Sequence, residues 1–225
     1  MNRLCLPLSL NEAETLLLDD IVQRSTPIHR GGIVYEEGEP FTNLYALRSG
    51  ALKGYRHCSN GNIQITDFVL PGEVFGLDGV SSGKHQCSVQ ALETASVCAL
   101  PFDLLQQLGR TLPILQTHLM EAVSGCVQAK MEHLCLVTQY SAYERIKALI
   151  LNLSKRYASL GQSALHFRLP MSRADIGCHL GMTIETVSRC LSRLREEQVI
   201  TLDNREIRIL KPEALRSTAR PANKP

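Results

Sequence analysis

Between Gly181 and Glu197 the apolar and polar positions separate onto two faces of one predicted helix. Residues three and four positions apart lie on the same face of a helix. The apolar face carries Ile184, Val187, Leu191 and Leu194, and the polar face carries Glu185, Ser188, Arg189 and Ser192. An acid, two hydroxyls and a guanidinium in one row predict that this helix faces a polar partner.

A second capped helix precedes this one, so the two form a predicted helix-turn-helix. Ser172 and Asp175 are placed as a cap and its third helical residue. Gly181 is placed to turn the chain, and Thr183 to cap the helix predicted over 184–196. The stretch "VITLDNREIRIL" follows with the pattern strand, turn, strand, which predicts a wing.

The N-terminal half has a different pattern, in which short strand-like runs alternate with glycines. Residues 31–83 hold ten of the fifteen glycines. The pair Asn60-Gly61 is a strong hairpin signal. Many short strands separated by glycine turns predict an antiparallel roll or barrel.

A long helical pattern over about 112–137 carries two apolar stripes. One stripe suits packing on the roll and the other packing on a second copy, although a single broad core face is the alternative. Lys130 interrupts the second stripe and would face its own copy, which predicts a deliberately marginal dimer. We call the predicted interface the dimer seam: Met120, Val123, Val127, Lys130 and Leu134.

Charge is distributed unevenly along the chain. Residues 1–139 hold 9 Lys/Arg and 14 Asp/Glu, a net charge of −5, whereas residues 140–225 hold 15 and 8, a net charge of +7. A basic C-terminal part is typical of a module that binds a polyanion, although chance sorting of surface charge is the alternative. No apolar run reaches the ~18–20 residues that span a bilayer, and no signal-peptide pattern opens the chain. We therefore expect a soluble, cytoplasmic protein.

The polar row has the chemistry of a reader of the DNA major groove. Arg189 suits guanine O6 and N7, Glu185 suits cytosine N4, and Ser188 suits a thymine methyl or a base edge. Other arginines are better placed for phosphates, which position a protein without specifying sequence. These are Arg173, Arg193, Arg195, Arg205 and Arg208. The predicted DNA-binding set is Thr183, Glu185, Ser188, Arg189, Ser192, Arg173 and Arg193.

The motifs "LYALRSGALK", "QITDFVLPGEVFGLD" and "ADIGCHLGMTIETVSR" resemble the CRP/FNR family of transcription regulators, and its oxygen-responsive FNR branch above all. The resemblance implies an α+β fold: an antiparallel β-roll like that of cyclic-nucleotide-binding domains, a dimerisation helix and a winged helix-turn-helix. It also implies a homodimer that binds double-stranded DNA at TTGAT-like palindromic half-sites and contacts RNA polymerase. The implied polymerase contacts are the surface loops 76–82 and 93–95.

The predicted domain boundaries follow the changes of pattern. The predicted parts are a sensor roll over 1–110, a dimerisation helix over 111–138, a DNA-binding domain over 139–213 with its helix-turn-helix at about 173–192, and a flexible tail over 214–225.

No catalytic motif is present, so the sequence does not indicate an enzyme. A metabolite-binding module without DNA function is the alternative.

The resemblance leaves the sensed signal open. Cys5 in "LCLP" and Cys98 in "VCALP" match two of the four cysteines that hold a 4Fe–4S cluster in the FNR branch. The other two family positions lie upstream of Cys5, so three alternatives stand: a sequence that starts late, a lost cluster, or a redox pair of Cys5 and Cys98. Cyclic AMP is not expected, because the matching stretch "GKHQCSVQA" offers Lys84 and no arginine. Haem or nitric oxide sensing through His57, His85 or His118 is a further alternative.

Overall fold

The computed structural model describes residues 12–24, 27–59 and 61–216. The chain divides into two compact units, Met1–Gln128 and Ala129–Pro225. Ser9 and Asn11, which the sequence offers as caps of a helix over about 9–25, lie outside the described part, as do Cys5 and Asn60.

The described residues of the first unit form eight short strands, and the predicted roll is confirmed. The strands are β1 Gln23–Arg24, β2 Ile33–Tyr35, β3 Asn43–Ser49, β4 Leu52–His57, β5 Ile63–Val69, β6 Val74–Phe75, β7 Ser88–Ala91 and β8 Ser96–Pro101. They form two four-stranded sheets, with the orders β1-β8-β3-β6 and β2-β7-β4-β5. Every strand pair in these sheets is antiparallel.

Alternation along the strands explains how the roll holds together. In β3 the side chains of Leu44, Ala46 and Leu47 are buried, and they belong to two apolar clusters. The hairpin between β4 and β5 turns at Gly61, whose φ of 80° is in the left-handed region that glycine adopts without strain.

Three helices start in the first unit: α1 Glu12–Ile21, α2 Phe102–Thr111 and α3 Pro113–Gln139. For this first helix the sequence pattern predicts an apolar face of Leu16, Leu17, Leu18 and Ile21, which is wrong in part. Leu18 is buried, whereas Leu16 and Leu17 are exposed, because consecutive residues of a helix point about 100° apart and do not share one face. Leu115 of α3 is buried in the roll cluster, and Leu119 packs against that cluster.

The second part of α3 leaves apolar side chains exposed. Met120 is 68% exposed, and Val123, Val127 and Leu134 are exposed as well. Met131, which the stripe analysis omitted, is another exposed apolar residue on this helix. Among the helices that the structure describes, none combines the length and apolar character that a bilayer-crossing segment needs.

The second unit places a small sheet beside a group of helices. Its elements are α4 Ala142–Ser159, β9 His166–Arg168, α5 Arg173–Leu180, α6 Ile184–Glu196, β10 Ile200–Asp203, β11 Glu206–Ile209 and α7 Pro212–Arg216. The sheet has the order β10-β11-β9. Ser141 and Glu144 form the capping box that opens α4. Residues 214–216, predicted as part of a tail, belong instead to α7, where Leu215 is buried.

Candidate nucleic-acid interface

Helix α5 begins and ends where its sequence signals place its boundaries. The Ser172 hydroxyl accepts a hydrogen bond from the Asp175 amide at 3.1 Å, and the Ser172 amide donates to the Asp175 carboxylate at 2.9 Å. This reciprocal capping box satisfies two amides that a helix start leaves free. Gly181 ends the helix with a φ of 65°, which is strained for a residue with a Cβ.

Two further residues shape the corner between α5 and α6. A Cβ at Gly177 would lie 2.5 Å from the Met182 carbonyl oxygen, so only glycine permits this close approach. The Arg145 guanidinium donates to the carbonyls of Tyr140 and Leu180, both at 2.9 Å. A cation on the carbonyl of Leu180, the last residue of α5, complements the negative end of that helix. The sequence analysis assigned neither residue to this corner. The signal available for Gly177 was a second glycine inside a short helix, whereas no sequence pattern indicates the role of Arg145.

Helix α6 packs through one face, which leaves the other for a partner. Thr183 caps it, since its hydroxyl accepts from the Thr186 amide at 3.2 Å. Val187, Leu191 and Leu194 are buried as predicted. Ile184 was expected on the same face and is 49% exposed. It stands at the first position of α6, where the helix has not yet reached the core.

The polar row of α6, which we call the reading row, comprises Glu185, Ser188, Arg189 and Ser192. Glu185, Arg189 and Ser192 are exposed and Ser188 is half-buried. The row therefore lies on the surface, opposite the buried face of the helix.

The reading row is connected by a short chain of hydrogen bonds that the sequence did not show. Arg189 donates to the Thr186 hydroxyl at 3.4 Å, and the hydroxyls of Thr186 and Thr183 are 3.1 Å apart. The pKa of Glu185 is lowered, first by its own backbone amide, then by the Thr183 hydroxyl and least by the charge of Arg189. Glu185 stands four residues before Arg189, a spacing that predicts a direct ion pair. Thr186 bonds to the Arg189 guanidinium instead.

Arg193, predicted as a DNA contact, has strong partners within the second unit. Its Nε donates to the Glu197 carboxylate at 2.7 Å, and its guanidinium lies 4.2 Å from the centre of the Tyr143 ring. The Tyr143 hydroxyl donates to the same carboxylate. Burial and this bond raise the pKa of Tyr143 to about 12, and the Tyr143 bond, followed by Arg193, lowers that of Glu197. The cluster ties α6 to α4, so a phosphate would compete with it for Arg193.

The wing and the two helices enclose a basic cleft of about 560 Å³. Its cationic lining residues are Arg173, Arg195 and Arg205. Arg205, predicted as a phosphate contact, donates to the Pro170 carbonyl at 3.0 Å and so holds the wing turn against the segment before α5. Asn204, with a φ of 52°, supplies the left-handed residue of that two-residue turn.

Two family models match the chain: a Crp-like helix-turn-helix domain over residues 144–218 and a cyclic nucleotide-binding domain over residues 26–111. The anaerobic regulatory protein of Pasteurella multocida is 41% identical over 209 residues, which cover 93% of this chain and 77% of that protein. The fumarate and nitrate reduction regulatory protein of Salmonella typhimurium is 39% identical over 219 residues, 97% and 88% of the two chains. The chain belongs to the FNR branch of the CRP/FNR family.

A solved structure agrees with this assignment. FixK2 from Bradyrhizobium japonicum has a TM-score of 0.80 and 29% identity over 87% of this chain and 96% of its own. The expected family and α+β fold of this CRP/FNR regulator are therefore confirmed. The helix-turn-helix described above lies within the Crp-like match.

Of the two predicted sensor cysteines of the CRP/FNR regulator, one lies in the described part of the chain. Cys98 lies on β8, is 2% exposed and forms a disulfide, whereas Cys5 lies outside the described residues. In the part of the chain that the structure describes, no three His, Cys, Asp or Glu side chains group to hold a metal ion. The described residues alone therefore do not fit a four-thiolate cluster.

His85, a haem candidate, is packed in the roll of the CRP/FNR regulator. Its ring stacks on Tyr35 with the centroids 3.7 Å apart, and Phe41 contacts it edge-on. Its Nδ1 lies 3.6 Å from the Asp78 carboxylate, which the amides of Gln86 and Cys87 hold in place. His85 is buried in this arrangement, which favours a packing role over an axial ligand.

Proposed function

We propose that this chain is an oxygen- or redox-responsive regulator that binds TTGAT-like palindromic half-sites as a homodimer. The observation that supports the proposal most strongly is the reading row: Glu185, Ser188 and Arg189 project from α6 while its opposite face is buried. A recognition helix needs this geometry, since base edges are read by side chains that enter the major groove. Relatives named for anaerobic and fumarate–nitrate regulation support the signal.

Binding to DNA of defined sequence tests this proposal. We expect the full chain to bind a TTGAT-type palindrome about 10³-fold or more tightly than a scrambled duplex of the same composition. Three phosphate-binding arginines per subunit would give a slope of log Kobs against log salt of roughly −5 for a dimer. Fluorescence anisotropy over a salt series measures both quantities. Equal affinity for the two duplexes at every salt concentration contradicts the proposal.

We propose that the dimer seam on α3 pairs with its copy. Met120, Val123, Val127 and Leu134 expose apolar area at helical spacing over four turns, as an unpaired coiled-coil stripe does. Two copies related by a two-fold axis would bury this stripe and place two α6 helices for two half-sites.

Substituting Lys130 with leucine should tighten self-association. In the proposed dimer the two Lys130 ammonium groups repel one another in a seam that is otherwise apolar, and leucine removes the repulsion and adds buried area. We expect the dissociation constant of the dimer to fall roughly tenfold or more, on the basis of about 1.5–3 kcal/mol for burying a leucine side chain. Sedimentation equilibrium measures it.

Lys155→Leu is the matched control, since it places the same side chain on α4, away from the seam. It should leave the dissociation constant of the dimer as in the parent chain. An unchanged constant in Lys130→Leu, or an equal shift in both variants, would count against the seam.

The sensing chemistry has two candidates. The FNR resemblance favours a 4Fe–4S cluster, for which Cys98 and Cys5 are the proposed ligands among the residues of this chain. A thiol-based redox response is the second candidate, and the disulfide at Cys98 is the observation that favours it. Six other cysteines of the described residues are thiols.

Iron, sulfide and free-thiol contents of protein purified without air from the native locus separate the two candidates. About four irons and four sulfides per chain, with a visible spectrum that air bleaches, support the cluster. Absence of iron together with DNA binding that depends on a thiol reductant supports the redox pair. A haem spectrum contradicts both.

The remaining partners are proposed from the family. The loops 76–82 and 93–95 of the roll are proposed to contact RNA polymerase; Val80 is 43% exposed there, which suits a protein contact. We propose a cytoplasmic location and a regulatory role without catalysis, and we do not expect cyclic AMP as a ligand because Lys84 stands where an arginine is needed.

A further inference from the structure

Arg173 and Ser188 are fifteen residues apart in sequence and meet across the corner of the helix-turn-helix. Arg173 Nη1 donates a hydrogen bond to Ser188 Oγ, with the two atoms 3.3 Å apart. Arg173 is the first residue of α5, whereas Ser188 lies in the second turn of α6 and belongs to the reading row. The bond therefore joins a residue expected to bind phosphate to one expected to read a base.

The direction of this bond is set by chemistry. A guanidinium has N–H donors and no acceptor, so the Ser188 oxygen must be the acceptor. A serine hydroxyl has one proton as well as two lone pairs, and the proton remains to be donated elsewhere. The second lone pair stays open, but accepting a bond from a cation draws electron density from the oxygen, which makes its proton a better donor and this lone pair a weaker acceptor.

A helical serine or threonine can donate that proton to a carbonyl in the preceding turn. Thr138 donates in this way to the Leu134 carbonyl and Ser159 to the Arg156 carbonyl, each at 2.8 Å. Ser188 makes no such bond, and within the described residues Arg173 is its side-chain partner. Its proton is therefore uncommitted in the DNA-free protein.

We propose that Arg173 is a positioning residue that makes Ser188 a preferred hydrogen-bond donor to one base edge. This inference rests on the DNA-reading function proposed above and concerns the specificity of the same surface. In the major groove thymine O4, guanine O6 and purine N7 are acceptors, whereas cytosine presents only its amino donor. Ser188 is thus expected to prefer a base with an acceptor and to disfavour cytosine at that position.

Four proteins test the inference: the parent chain, Ser188→Ala, Arg173→Met and the double variant. Each is titrated by fluorescence anisotropy against every single-base-pair change in one half-site, over a salt series. The parent should discriminate against cytosine at one position by about fivefold, the size of one hydrogen bond. Ser188→Ala and Arg173→Met should each lose this discrimination, and the double variant should lose no more. Such non-additivity identifies residues that act as a pair.

Two further variants separate positioning from charge. Arg173→Lys keeps a donor and the charge, so it should restore the preference at that one position. Arg195→Met removes another arginine of the basic cleft, so it should weaken binding to all sequences equally. It should also make the salt slope shallower by about 0.9 for each phosphate that is no longer neutralised. If Arg173→Met loses the discrimination against cytosine without a matching change in salt slope, Arg173 acts on Ser188. A purely structural role or a phosphate contact does not produce that result.

A measurement on the parent chain covers the case in which Arg173→Met does not fold. Replacing the acceptor at the identified position, with 7-deazapurine or 4-thiothymine, should weaken the parent about fivefold and leave Ser188→Ala unaffected. If Arg173→Met lowers affinity for every duplex equally, Arg173 is a phosphate contact only and the inference is wrong. The inference is also wrong if the base analogue weakens binding of Ser188→Ala as much as binding of the parent. If the parent prefers no TTGAT-type duplex over a scrambled one, the proposed function itself fails.

Discussion

Alanine at position 189 should reduce specific DNA binding by about 1–3 kcal/mol for each half-site, roughly 5- to 150-fold. Arg189 is exposed on α6, and Thr186 holds its guanidinium through a single hydrogen bond at 3.4 Å. Arg189 can exchange this long hydrogen bond for two bonds to guanine O6 and N7 at little cost in free energy. Because a palindrome presents the base twice, the loss in the proposed dimer counts at both half-sites.

The measurement compares Arg189→Ala and Arg189→Lys with the parent on duplexes altered at each base pair. Lysine keeps the charge but loses the planar fork, so it should retain binding to scrambled DNA while losing choice at one base pair. A loss in Arg189→Ala that is the same on all duplexes assigns Arg189 to the phosphate backbone instead.

The second large effect is expected from Leu194→Ala, which should lower the free energy of unfolding of the second unit by about 2–5 kcal/mol. Leu194 is 0% exposed and lies on the face of α6 opposite the reading row. Removing three carbons there costs the lost burial and leaves a cavity that the surrounding helices fill only in part. Because α6 carries the reading row, DNA binding should weaken at temperatures near the lowered midpoint.

Leu165→Ala is the matched control, since the same side chain is 47% exposed in the same unit. Its effect should stay within about 0.5 kcal/mol. Amide hydrogen exchange over residues 184–196, measured by mass spectrometry, reports the local unfolding free energy of α6 in both variants. Equal protection in Leu194→Ala and the parent would show that this face does not anchor the helix.

Local patterns predicted most of the DNA-binding unit correctly. Ser172, Gly181 and Thr183 cap α5 and α6 as expected, and Val187, Leu191 and Leu194 are buried. A cap and an amphipathic face depend on neighbours within four residues, so the residues themselves carry the information. The same reasoning failed at the end of the pattern, at Ile184, because periodicity does not say where a helix first meets its core.

Family resemblance went further than periodicity for function. Motifs such as "ADIGCHLGMTIETVSR" led to the CRP/FNR family, which the relatives confirm. The TTGAT-like site, the dimer and the individual DNA contacts stay predictions. Cys5, the other half of the sensor hypothesis, lies outside the described residues.

The order of residues alone was sufficient for the strands, helices, caps and polar row, because each is specified by side chains close together along the chain. Which distant groups meet depended on how those elements pack in three dimensions. Arg205 bonds to Pro170, Arg145 to Leu180 and Arg173 to Ser188. In sequence all five arginines assigned to phosphate were equivalent surface cations; packing angles of a few degrees decide which reach a carbonyl, a hydroxyl or solvent, and no periodicity encodes those angles.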